Sequence, residues 1–347
     1  MTFTTPDLSG TAKIVYAAVT YIAAGVIYTG IQTAITSILP NLSHNSEERV
    51  VLNTFRMVGG NVGAFVCMTF TLPLVAYFGG GNDQLGFSMT LAFFGILAAA
   101  LLFVAFRNLR EVNVEKIKRI PMKDSIKAVK GNWPWIILVI ANLIFWIALT
   151  IRQSTVVYYC QYVLGDKEIA AMINGFMVIQ VIGMLSIPFL VRHTSKHTTM
   201  IIGFVLAIFG HIGMYFAGAD LSVLIPFWCV SCIGQGIACS MPFAMLSDTV
   251  DYGEWKTGIR ASGFLTAIGS AFCIKAGSGI GGFIPAMVMD AFGYVPNAVQ
   301  SATALLGIQV VFIWLPAAIF ALGIVPMLFY SHYEAKEEEV LEALAQQ

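Results

Sequence analysis

Charge is what this chain has least of. Lys, Arg, Asp and Glu make up 11% of its 347 residues, against about 25% in an ordinary soluble domain. The nineteen bases and nineteen acids cancel to a formal net charge of zero. Without a global field, nothing argues for nucleic acid or for a strongly acidic partner. Cysteine is sparse as well, and its six residues lie in apolar stretches, which excludes a small disulfide scaffold. The opening MTFTTPDLSG holds no basic leader before a short apolar segment, so no cleavable signal is expected. The apolar runs offer no paired carboxylates, no serine-histidine pair and no cluster of metal ligands. The chain therefore reads as no enzyme, with no cofactor or metal.

What it has in abundance is apolar length. Hydrophobic residues make up 58% of the chain, arranged as repeated runs long enough to cross a bilayer. Nine helices are expected, at about 12–38, 50–78, 86–106, 134–160, 169–191, 199–217, 222–246, 262–289 and 301–330. The fold class is therefore an all-α membrane protein whose partner is the lipid bilayer.

One long polar connection follows the third helix and carries Arg107, Arg110, Lys116, Lys118, Arg119, Lys123, Lys127 and Lys130. Such a loop belongs in the cytoplasm. Counting outward puts Arg49, Arg192, Lys196, Lys256, Arg260 and Lys336 on the same side. The expected organisation is a partial bundle of three helices over 1–106, a cytoplasmic basic loop over 107–133, a six-helix bundle over 134–331 and a cytoplasmic tail over 332–347. Nine spans with the C-terminus inside place Met1 outside, and three further helices upstream would complete a six-plus-six transporter.

Charges at membrane depth cost about 2.5–3.5 kcal/mol each and are functional candidates. Every Asp and Glu reads as lying in a loop, a tail or at a helix end, whereas Arg56, Arg152 and Lys275 fall inside spans. On the first helix Tyr21, Tyr28, Gln32 and Thr36 share one face. Asn53, Arg56 and Gly60 stripe the second, Asn142, Trp146 and Arg152 mark the fourth, and Trp228 and Gln235 the seventh. Lys275 sits on a glycine-rich eighth helix. Aromatic rings beside hydrogen-bonding groups suit a sugar, whose C–H faces stack while its hydroxyls need partners. The competing explanation for each Gln, Asn or Tyr is a helix-to-helix hydrogen bond.

The run GQGIACSMPFAMLSDTVDYGEWKTGIR over 234–260 closely resembles the glycoside-pentoside-hexuronide:cation symporter family, the melibiose permease-like branch of the major facilitator superfamily. YYCQYVLGD (158–166), YTGIQTAITSILPNL (28–42) and FRMVGGNVGAF (55–65) resemble the same family in the same order. The resemblance implies about nine of twelve helices of that fold, and sugar or glycoside symport with Na+ or H+ by alternating access. It implies a monomer in a bacterial cytoplasmic membrane. It also implies a substrate site of Tyr28, Gln32, Arg56, Asn142, Trp146, Arg152, Gln235 and Lys275. Arg56 matches the family's fifth-helix arginine, and Lys275 its eleventh-helix lysine at a spacing from Arg260 about one residue longer than the family pattern. Gln32 stands where the family carries a fourth-helix carboxylate, a departure that removes a charge. Asp248, Asp251, Glu254, Lys256 and Arg260 are expected as a cytoplasmic gate in the loop after the seventh helix. Two alternatives stay open: lipid or lysolipid transport by the same scaffold, and a truncated, non-functional fragment.

Overall fold

The computed structural model describes residues 10–43, 45–109, 121–166, 169–296 and 298–345. Arg110, Lys116, Lys118 and Arg119 of the basic connection lie outside them. Among the described residues, nine helices are long and apolar enough to cross a membrane, at the nine places expected. They are α1 (Gly10–Ser37), α2 (Ser46–Gly79), α3 (Asp83–Asn108), α5 (Trp133–Tyr162), α6 (Ile169–His193), α7 (Lys196–Ala217), α8 (Leu221–Thr257), α9 (Ser262–Ala291) and α10 (Ala302–Glu334). Three short helices complete the set, the first of them Leu39–Leu42 between α1 and α2. α4 (Met122–Val129) occupies part of the segment expected as a loop, and α11 (Glu337–Ala345) part of the expected tail.

Polar residues punctuate the apolar runs. Side-chain oxygens of Asn45, Asn82, Asn132, Ser195, Asp220 and Ser301 accept from the first free amides of α2, α3, α5, α7, α8 and α10. These caps answer amides that the helix itself leaves unpaired. Gly258, at φ 69°, ends α8 in the left-handed region, a conformation that glycine adopts without penalty.

Helices α5 to α10 pack on one another around Phe145, Phe204 and Phe320, whose ring centroids stand 6.1–6.5 Å apart. A second apolar cluster, toward the other end, holds Tyr159, Trp228 and Phe312. α7 and α8 approach so closely that they are fused in effect. A Cβ built on Gly203 would meet Ala238 N at 2.8 Å, one on Gly210 Phe227 O at 2.6 Å, and one on Gly234 Gly203 O at 2.5 Å. Small residues of this kind let helix backbones touch inside a membrane. α2 packs against α3, and also crosses α6 and α8, while α1 lies against α9.

One boundary differs from expectation. The seventh span runs to Thr257 as continuous helix rather than ending near 246. Asp248, Asp251 and Glu254 are therefore helical residues, three apart on one face, and not part of a loop. Charges in a row read as an exit from the membrane, but here bases from elsewhere in the chain surround and neutralise them.

Candidate functional site

Two groups of polar residues join α1–α3 to α5–α10. The first is an ionic cluster where α2 and α7 begin and α8 and α10 end. Arg49 on α2 reaches Asp251 at 2.5 Å and Asp248 at 3.6 Å, and its Nε donates to the Ser43 carbonyl at 2.8 Å. Lys196 on α7 bridges Asp248 at 2.7 Å and Glu337 of α11 at 2.5 Å. Arg260 pairs with Asp251 at 3.0 Å and also with Glu254. Burial alone would lower the pKa of Arg260, but Asp251 and Glu254 outweigh it and hold the guanidinium above its ordinary value. Asp248 and Asp251 are 2% and 3% exposed, so these are buried pairs, in which an uncompensated charge is costly. Tyr333 donates to the Asp248 carbonyl at 2.8 Å, and Glu334 accepts from the amides of Lys196 and His197.

Of the five residues expected here, Asp248, Asp251, Glu254 and Arg260 are brought together. Lys256 is exposed and turns to the Trp255 ring, 5.7 Å from its centroid. Arg49, Lys196 and Glu337 are the members that sequence reasoning missed. The first two read as ordinary loop bases, and the third as a tail acid.

The second group lies along α1, α2, α8 and α9, beside a cleft where α1 meets α9. Arg56 donates to Asn53 Oδ1 from Nε at 3.3 Å and from Nη2 at 2.8 Å, and to Thr36 Oγ1 from Nη1 at 3.2 Å. Its guanidinium lies 5.2 Å from the Phe243 ring. Asn53 in turn donates to the Ser240 carbonyl across the interface at 2.9 Å. Lys275 projects from α9 over Tyr28 of α1, with Nζ 5.5 Å from the ring centroid, and lines the cleft with Ile22, Gly25, Val26 and Thr29. Gln32 is half-buried on the same helix as Tyr28. Among the described residues no carboxylate lies within ion-pair distance of Arg56 or Lys275. Further along α2, Asn61 accepts from Gln180 of α6 at 2.6 Å.

Four other expected substrate residues have surroundings of their own. Asn142 is 0% exposed and donates to the Gly269 carbonyl at 2.7 Å. Trp146 packs where α5 meets Gly277 of α9. Gln235 is buried and donates to Ser231 Oγ at 2.9 Å. Arg152 lies inside the α5–α10 group, fully buried, with its guanidinium 4.1 Å from the Trp228 ring centroid and Nη1 3.5 Å from Cys232 Sγ. Its Nε and Nη2 have no hydrogen-bond partner.

Stacking on an indole is worth about 2 kcal/mol when desolvated, whereas burying an unpaired charge costs several kcal/mol. Arg152→Met, which keeps the length and removes the charge, is therefore expected to leave the thermal midpoint of the purified protein unchanged or higher. Trp228→Ala empties a packed site and should lower stability by about 3–5 kcal/mol. A large fall in the midpoint with Arg152→Met would mean that the guanidinium has a strong partner.

A family model described as MFS/sugar transport protein matches residues 1–333. The isoprimeverose transporter of Lactiplantibacillus pentosus is 38% identical over 336 residues, covering 94% of this chain and 70% of that protein. A putative sulfoquinovose importer of Escherichia coli (strain K12) is 31% identical, covering 96% of this chain and 72% of that one. Among solved structures, the E. coli fucose:proton symporter superposes with a TM-score of 0.62 at 18% identity, covering 86% of this chain and 72% of that one. This last likeness shows a shared fold.

Proposed function

Because this chain belongs to the MFS/sugar transport protein family, and so is a membrane-embedded sugar:cation symporter, we propose that it takes up a glycoside or sugar through the cleft bounded by Tyr28, Gln32, Arg56 and Lys275. The observation that carries this reading is a pair of bases at membrane depth, Arg56 on α2 and Lys275 on α9, neither with a carboxylate in ion-pair distance among the described residues. Arg56 offers a planar fork for vicinal hydroxyls, held in place by Asn53 and Thr36. Tyr28, 55% exposed, offers a ring face to the sugar C–H surface.

The two uncompensated bases also favour a second reading, a sugar that carries a carboxylate or sulfonate. Competition of a neutral glycoside and a sugar acid for labelled solute in vesicles separates the two. Protection by the acid alone would decide for the second, and by the glycoside alone for the first.

The ionic cluster is the cytoplasmic gate of this reading, closed here, with α1–α3 and α5–α10 as the two rocking bodies in a bacterial cytoplasmic membrane. The orientation follows from the basic connection. A reporter fused within 121–130 should be active only as a cytoplasmic probe, and one fused at 80–84 only as an external probe. The reverse pattern would overturn the assignment of the gate to the cytoplasm.

A further inference from the structure

The helix that presents Lys275 is irregular just before it. Residues Ala267–Phe272 wind as π-helix. Such a turn takes up one residue more than an α-turn, and so sets the downstream helix back by one residue's rotation, about 100°. It thereby sets the face of α9 on which Lys275 meets Tyr28. A π-turn loosens carbonyls, and three side chains answer them. Ser270 Oγ donates to Thr266 O at 2.6 Å, Cys273 Sγ lies 3.3 Å from Ile268 O, and Asn142 Nδ2 donates to Gly269 O at 2.7 Å. The first two donors belong to α9 and would travel with it. Asn142 stands on α5, fully buried between Ala141 and Phe145 on its own helix.

Two further observations set Asn142 apart from a packing residue. Its Oδ1 is buried without a partner, a desolvation cost of about 1–3 kcal/mol that an apolar side chain would not carry. Gly269, the acceptor, sits so close to α8 that a Cβ there would meet Leu246 Cδ1 at 2.5 Å, which seats the π-turn at this one place.

We infer that Asn142 is a positioning residue: it pins the π-turn on the N-terminal side of Lys275 and thereby fixes which face of α9 carries the lysine into the cleft. A π-turn that is not pinned can shift along a helix, and each residue it passes rotates by about 100°. The inference rests on the reading of Lys275 as a cleft residue, and its test reads orientation directly, apart from transport.

The full chain carrying Lys275→Cys is labelled with a membrane-impermeant maleimide, and modification at residue 275, distinguished from the neighbouring Cys273 by fragmenting the peptide, is followed. Adding Asn142→Leu should slow labelling several-fold, and deleting Ala271 in the same chain should restore it, because with one residue fewer there is no π-turn to pin. Deleting Ala271 alone should leave labelling at the parent rate. It decides the matter if the Asn142→Leu chain fails to fold, since in a regular α-helix that deletion turns residue 275 out of the cleft. Unchanged labelling with Asn142→Leu, or loss of labelling on deletion alone, overturns the inference. Uptake by Lys275→Met is measured separately: normal uptake there would remove Lys275 from the solute site without touching the labelling result.

Discussion

Arg56→Ala is expected to abolish solute uptake while leaving the amount of protein in the membrane unchanged. Arg56 makes no ion pair among the described residues, and its present partners, Asn53 Oδ1 and Thr36 Oγ1, are neutral groups that lose little when it goes. The solute loses far more. Two hydrogen bonds from a charged donor, at about 1.5–3 kcal/mol each, correspond to a fall of about a hundredfold or more in uptake at limiting solute. Arg56→Lys should rescue poorly, because an ammonium keeps the charge and loses the planar fork. Initial rates in right-side-out vesicles, normalised to protein in the membrane, provide the measurement. Normal uptake by the alanine variant would remove Arg56 from the solute site.

Asp251→Ala should hold the protein open at the ionic end. Its loss leaves Arg49, whose side chain is 3% exposed, with Asp248 at 3.6 Å as its remaining acid. Breaking one partner of a buried pair costs about 3–5 kcal/mol. In the open state, where water reaches the same groups, the cost is small. The difference shifts the balance between states by a factor of about a hundred or more.

A cysteine at Tyr28 reports it: labelling by an impermeant maleimide in inside-out vesicles should rise sharply with Asp251→Ala. Replacing both partners, as Arg49→Met with Asp251→Leu, should restore part of the closure, since an apolar pair carries no stranded charge. The two single variants and the double form a cycle whose coupling measures the pair. Strict additivity, or labelling that does not change with Asp251→Ala, would exclude the pair as a gate.

How much of this was legible in the sequence depends on the range over which each feature is encoded. All nine spans were, because an uncharged run of span length is a local property. The end of α8 was not. Asp248 and Asp251 look like solvent-facing acids until Arg49 and Lys196 are brought to them, from 202 and 52 residues away. The local hint was their spacing with Glu254, three apart on one helical face, with Gly258 as the stop.

Arg56 and Lys275 were visible as bases at membrane depth, which few residues occupy without a purpose. Asn142 and Gln235 were visible only as polar residues in spans, and such residues serve helix contacts as readily as solutes. Asn142 bonds across to Gly269 of α9, and Gln235 to Ser231 on its own helix. That α9 holds a π-turn before Lys275 is a property of the backbone, with no signature in residue type.

The close fusion of α7 and α8 divides the gate into a part that moves and a part that does not. Lys196 and Asp248 stand on two helices whose backbones touch through Gly203, Gly210 and Gly234, with no room to slide, so their bond is internal to the α5–α10 side and is expected to persist when the seam opens. Arg49 and Asp251 sit on opposite sides of the seam. If the cluster is the gate, each turnover has Arg49's two buried contacts, with Asp251 and with Asp248, to release and remake. Lys196 is on that reading a rivet within one half, tying Asp248 to Glu337 beside the seam.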